Sequence, residues 1–236
     1  MMGYDLAGIA YTASTWVLPV LIAITFHEAA HGFVAWRLGD DTAYQMGRVT
    51  FNPIRHIDPF GTIVLPALLL ISPAPFIFGW AKPVPVAFHR LRFPRRDMIM
   101  VAAAGPGINF GLAFASALLM NVAAVFPDPL ESWVIRNLAH SILINLLLAV
   151  FNMLPLPPLD GGRVAVGLLP RSLALPLARL ERYGLFILIG AIFLVPLLGD
   201  QLGVDLNIFY WVIWRPLQWM LPFFSEIGGI GLRIGG

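Results

Sequence analysis

His27-Glu28-Ala29-Ala30-His31 sets two imidazoles four residues apart, with a carboxylate beside the first. On a helix both rings share one face, which is the spacing for two zinc ligands, and the glutamate between them can act on a water. The setting is unusual for such a motif. From Trp16 to Trp36 the remaining residues are almost all apolar. An ionisable group at the centre of a membrane helix costs roughly 3 kcal/mol or more, so three of them in one apolar segment imply a function. These residues point to metal-assisted hydrolysis inside a bilayer.

Composition agrees with a lipid setting. The chain has 236 residues, of which 58% are hydrophobic and 12% charged, more apolar surface than a soluble protein of this size can hide. Cysteine is absent, so there is no disulfide framework and a metal would need His and carboxylate ligands. With a net charge of +2 and no long Lys/Arg run, no nucleic-acid partner is expected. Residues 1–13 contain no Lys or Arg, so they lack the basic start of a cleaved signal peptide. The first apolar segment is therefore expected to remain as a span.

The elements that must position the motif follow from length and hydropathy. Five apolar stretches approach the roughly 20 residues a span requires: 13–38, 99–126, 132–153, 183–198 and 208–224. The fourth is short, and the fifth carries Arg215, Pro216 and Gln218. Residues 61–78 are apolar but broken by Pro66, Pro73 and Pro75, and both 48–51 and 62–65 have β-branched character. This region is expected to form a membrane-associated β-hairpin or re-entrant segment. The predicted class is an all-α polytopic membrane protein of about five transmembrane helices plus that element. It reads as one domain over 1–236, with a catalytic core at about 13–162 and two accessory spans within 183–224.

Charge fixes an expected orientation. If 61–78 does not cross and the amino terminus is outside, residues 37–97 are cytoplasmic and hold Arg37, Arg48, Arg55, Lys82, Arg90, Arg92, Arg95 and Arg96. The loop after the third span holds Arg163, Arg171, Arg179 and Arg182 on the same side. The opposite loops are nearly free of Lys and Arg, a strong positive-inside bias.

Two His and a Glu do not complete a zinc site. Asp160 ends the proline-rich run from Asn152 to Leu159 and precedes Gly161-Gly162. In the five-span topology the first and third spans both run inward, so Asp160 reaches the same side as His31. Taken alone, Asp160 can equally be a turn residue, and Asn152 or Asn109 an interhelical hydrogen-bonding residue. Small residues from Ala102 to Gly105 permit close helix packing. His56, His89 and His140 read as structural or interfacial, Asn52-Pro53 as a turn, and Arg90, Arg92, Arg95 and Arg96 as headgroup contacts.

Several pieces in order resemble the site-2 protease family of intramembrane metalloproteases. They are His27-Glu28-x-x-His31; Asn52-Pro53 with His56-Ile57-Asp58-Pro59-x-Gly61; Gly79-Trp80-Ala81-Lys82-Pro83-Val84-Pro85-Val86; Ala104-Gly105-Pro106-x-x-Asn109; and Asn152-x-x-Pro155-x-Pro157-x-Leu159-Asp160-Gly161. The Gly-Trp-Ala-Lys-Pro piece and the lack of room for a peptide-binding domain are similar to its compact prokaryotic subgroup. The resemblance implies one Zn2+ per chain held by His27, His31 and Asp160, Glu28 as catalytic base, and Asn152 as oxyanion donor. It implies membrane-protein substrates, single-span ones foremost, in a prokaryotic cell membrane with the site towards the cytoplasm. Two other readings stay open: a membrane metal-ion transporter, and an inactive relative that only binds membrane proteins.

Overall fold

Backbone surrounded by lipid must satisfy its own hydrogen bonds, and the long apolar runs do so as helices. The computed structural model describes residues 6–65, 67–68 and 79–229. Its first helix, α1 (Leu6–Arg37), would be about 48 Å long at the usual rise, more than a hydrocarbon core needs. It is followed by α2 (Pro94–Met120), α3 (Leu130–Asn152) and α4 (Asp160–Leu168). Then come α5 (Arg171–Arg179), α6 (Gly184–Ile189), α7 (Val195–Leu202) and α8 (Arg215–Ile227). Among the described residues, four helices are long and apolar enough to cross a membrane: Leu6–Arg37, Pro94–Met120, Leu130–Asn152 and Arg171–Gly199. The protein is an all-α polytopic membrane protein.

Small residues let the first three helices approach closely. Ala23 and Ala35 of α1 and Ala113 and Ala117 of α2 are fully buried. Ile142 and Leu146 of α3 close the core against Leu217, Leu221 and Phe224 of α8. The outside stays apolar: Phe186 is 74% and Trp219 89% exposed, as lipid-facing positions are.

Two expectations change here. The stretch at 208–224 is helical, through a π turn at Tyr210–Trp214 and then α8, but is not among the four candidate spans. Arg215, Pro216 and Gln218 dilute its hydropathy, and it buries one face on α2 and α3 instead. Residues 62–65 and 48–51 are not strands, and no strand occurs among the described residues. Thr62–Val64 lies in a π-helical segment, Pro59–Val64. Asp58 caps it, its Oδ1 accepting from the Phe60 and Gly61 amides at 3.1 and 2.6 Å, with Pro59 in the first turn. A side-chain cap plus an N-terminal proline outweighs β-branched propensity. Residue 66 and residues 69–78, where the rest of the hairpin or re-entrant expectation falls, lie outside the described residues.

Candidate metal centre

The helical period brings His27 and His31 to the same side of α1, one turn apart. That side faces Gly105 of α2. A Cβ placed at Gly105 would stand 2.6 Å from His27 Nε2 and nearer still to His31 Nε2, so glycine is what makes room for the two rings. Asp160 enters from α4. The chain leaves α3 at Asn152, passes through the proline-rich run, and turns into α4 with Asp160 as its first residue. A Cβ at Gly161 would overlap the Met153 carbonyl, and one at Gly162 the Pro157 nitrogen. The two glycines thus seat α4 directly on the preceding backbone and hold the Asp160 carboxylate in place.

Asp160 Oδ2 lies 3.2 Å from both His27 Nε2 and His31 Nε2, and the two nitrogens are 3.1 Å apart. All three side chains are buried. His31 Nδ1 donates to the Val101 carbonyl at 2.7 Å, and His27 Nδ1 donates to Asn109 Oδ1 at 2.6 Å. Neutral rings protonated at Nδ1 present bare Nε2 atoms. Asp160 Oδ2 is buried without a hydrogen-bond partner. Three lone-pair atoms at this range repel one another unless a cation lies among them. Ligands 2.0–2.2 Å from a tetrahedral zinc stand roughly 3.3–3.6 Å from each other, only slightly farther apart than these donors. The donor set, two imidazoles and one carboxylate with no thiolate, is that of a catalytic rather than a structural zinc site. His27, His31 and Asp160 fit the ion.

Glu28 is positioned by different means. It projects from α1 towards the irregular segment 79–87, where its Oε2 accepts from the Val84 amide at 2.7 Å. Pro83 and Pro85 flank Val84 and have no N–H, so this is the one backbone donor over that stretch. The segment is fastened along its length. Trp80 donates to the Gly61 carbonyl at 3.0 Å and Lys82 to the His56 carbonyl at 2.9 Å. The buried Arg48 guanidinium donates to the Lys82 carbonyl at 2.7 Å, and Ala87 donates to Asp40 Oδ2 at 2.6 Å. Gly32, one turn beyond Glu28, packs against Val49 and Val84. Asp40 is fully buried. Burial raises its carboxyl pKa, but the Thr42 hydroxyl, the Ala87 and Thr42 amides and the nearby Arg90 outweigh that and hold it below the usual carboxylate value.

The remaining residues singled out from sequence divide. Asn152 makes no hydrogen bond to His27, His31 or Asp160. Its Nδ2 donates to the Leu148 carbonyl one turn back at 3.0 Å, which leaves its second amide hydrogen for another acceptor. Asn109 combines the two roles open to it: it receives His27 and also bonds between helices, to Asn145 Oδ1 at 2.7 Å and the Ala23 carbonyl at 3.3 Å. His56 is buried with Nε2 donating to the Thr50 carbonyl at 3.0 Å, and His140 stacks on Trp16, ring centres 3.9 Å apart. Asn52 caps a short turn by accepting from Ile54. Arg90 and Arg95 are exposed and also make contacts within the protein. Arg90 pairs with Asp41 at 2.6 Å, and Arg95 donates to the Gly167 and Leu169 carbonyls. Asn145, Arg48 and Asp40 act as supports that no sequence motif marks. A polar residue in an apolar helix marks Asn145, but nothing local says that it faces Asn109.

Comparison with known proteins gives a consistent picture. The family model described as Peptidase family M50 matches residues 122–197, which include Asp160 but not the two histidines. A Bacillus subtilis protein carrying the name "Putative zinc metalloprotease YwhC" is 40% identical over 199 residues, covering 81% of this chain and 85% of that protein. Rip2 of Mycobacterium tuberculosis strain H37Rv, named in the same terms, is 29% identical over 192 residues, 81% of this chain and 70% of Rip2. MJ0611 of Methanocaldococcus jannaschii, again so named, is 34% identical over 139 residues, 59% of this chain and 62% of its own. No solved structure matches.

Proposed function

From the premise that this chain is a membrane metalloprotease of peptidase family M50, the site-2 protease family, we propose that it is an intramembrane zinc endopeptidase that cuts membrane proteins within or near their transmembrane segments. The observation that carries this reading is the convergence of two imidazoles and one carboxylate, buried among membrane-length helices, beside Glu28.

When bound by His27, His31 and Asp160, zinc would supply Lewis acidity to a water and to the scissile carbonyl. Glu28 receives the proton at its carboxylate and returns it to the leaving nitrogen. The Val84 amide occupies one carboxylate oxygen, and the other is the one that would take the proton. Asn152 offers its second amide hydrogen to the developing oxyanion. A substrate helix hides its carbonyls in i→i−4 bonds and must unwind locally before any can be reached. Single-span proteins are the expected substrates, because an unwound span with no helical neighbours loses the fewest packing contacts. The charge bias of residues 37–97 supports a site on the cytoplasmic side, and the bacterial and archaeal relatives support a prokaryotic membrane.

Glu28→Gln tests the reading. The variant is expected to retain zinc and to lose cleavage of a membrane-protein substrate by about 10²-fold or more. Full cleavage by Glu28→Gln would refute it. Zinc flux into vesicles that depends on His27 and Asp160 would identify a transporter instead.

A further inference from the structure

A chain of side-chain amides leads away from the metal centre, and each link has only one possible polarity. The Ser141 carbonyl can only accept, and Asn145 Nδ2 lies 2.8 Å from it, so Asn145 must present its nitrogen there. Asn145 Oδ1 therefore faces Asn109, whose Nδ2 donates to it at 2.7 Å. The same Nδ2 points to the Ala23 carbonyl, another pure acceptor, at 3.3 Å. With its nitrogen committed twice, Asn109 can offer only its oxygen to His27 Nδ1, 2.6 Å away. Asn109 and Asn145 are both fully buried, so water cannot scramble the sequence of donors. Ser141 and Ser116 extend the chain further, Ser116 Oγ donating to Ser141 Oγ at 2.8 Å.

We infer that Asn145 is a positioning residue for the metal centre: by fixing the orientation of Asn109 it locks His27 in the Nδ1–H tautomer, with its Nε2 lone pair aimed at His31 and Asp160. A backbone carbonyl of α3 thus sets the ligand state of a histidine on α1, without Asn145 touching the centre. His31 needs no such chain, since the Val101 carbonyl receives its Nδ1 directly. The inference rests on the zinc-site reading above but goes beyond it, because tautomer selection acts before any ion arrives. Outer partners of ligating histidines typically carry about 10–100-fold in metal affinity.

The test uses the full chain in detergent, with two readouts: zinc Kd by chelator competition, and ¹⁵N chemical shifts of the His27 ring in metal-free protein. Asn109→Leu should mix the His27 tautomers and weaken zinc by about 10–100-fold. Asn145→Leu should change both readouts in the same direction and by less; Asn145→Ala replaces it if that variant does not fold. The ring tautomer reports the orientation of the amide at 109, so a merely structural role of Asn145 would not move the ¹⁵N readout. An unmixed tautomer with wild-type zinc affinity in the Asn145 variant would overturn the inference. A wild-type protein that binds no zinc would instead count against the proposed function, while the metal-free tautomer readout would still judge the amide chain.

Discussion

His27 and Glu28 are neighbours in sequence, yet the protein supports them by opposite means. His27 looks into the helix bundle and is held by side chains, Asn109 and then Asn145, inside packed helices. Glu28 reaches an irregular segment and is held by a backbone amide. A side-chain support is rigid because helix packing fixes it, but one substitution removes it. A backbone support survives any ordinary substitution at its own position, but it is only as firm as the loop that carries it. The ligand side is therefore expected to fail through packing, and the base side through loosening of residues 79–87.

The largest expected effect is on the packing side. In Gly105→Ala the new methyl would press on both imidazoles, and ridge-to-ring contact at 2.6 Å cannot be relieved without moving a ligand. The purified variant should contain almost no zinc by elemental analysis. It should still fold, since the core of Ile142, Leu146, Leu217 and Phe224 lies elsewhere, on α3 and α8. Zinc at the wild-type level in Gly105→Ala would mean that close approach of α2 to the rings does not control the ligands.

Next comes the backbone support. Val84→Pro removes the one N–H between Pro83 and Pro85, so the bond to Glu28 is lost while the fastenings of the segment at Trp80, Lys82 and Ala87 remain. Zinc content should be unchanged. The rate constant kcat should fall by about 10²-fold, the scale of a catalytic group displaced by about 1 Å, with KM nearly unaffected. Loss of zinc together with rate would show that the two supports are not separate.

The same contrast explains what could be read from sequence. His27 and His31 announce themselves because charge in an apolar run needs a reason and their spacing gives one. Asp160 was legible through its glycines and through the topology that delivers it to the same side. The length of the apolar runs located three of the four long spans to within about seven residues, and placed the fourth from residue 183 where the helix begins at Arg171. The supports were harder. Asn145 lies 36 residues from Asn109, and only the crossing of α2 and α3 shows that they meet. At Thr62–Val64 local propensity pointed to a strand, but the Asp58 cap and Pro59 decided for a helix. The backbone amide of Val84 has no sequence signature beyond the two prolines around it.

The smallest effect concerns what fastens that loop. Asp40 holds Ala87 at 2.6 Å, with Thr42 and Arg90 on its other oxygen, so it ties residues 79–87 to the end of α1. Its carboxyl is harder to protonate in the folded protein than in the unfolded chain. The folded state therefore binds fewer protons between the two values, and stability rises with pH across that window. The contribution is complete above the ordinary carboxylate value of ~4 and is lost as pH falls through the lowered folded value. Hydrogen exchange at the Ala87 amide should accelerate on acidification below that range, beyond its intrinsic pH dependence. In Asp40→Asn, whose amide oxygen still accepts but does not titrate, exchange should start modestly faster and lose the added acid sensitivity. An Asn variant with an unchanged acid response would place the control of this loop in another group, with Asp41 on Arg90 the first to examine.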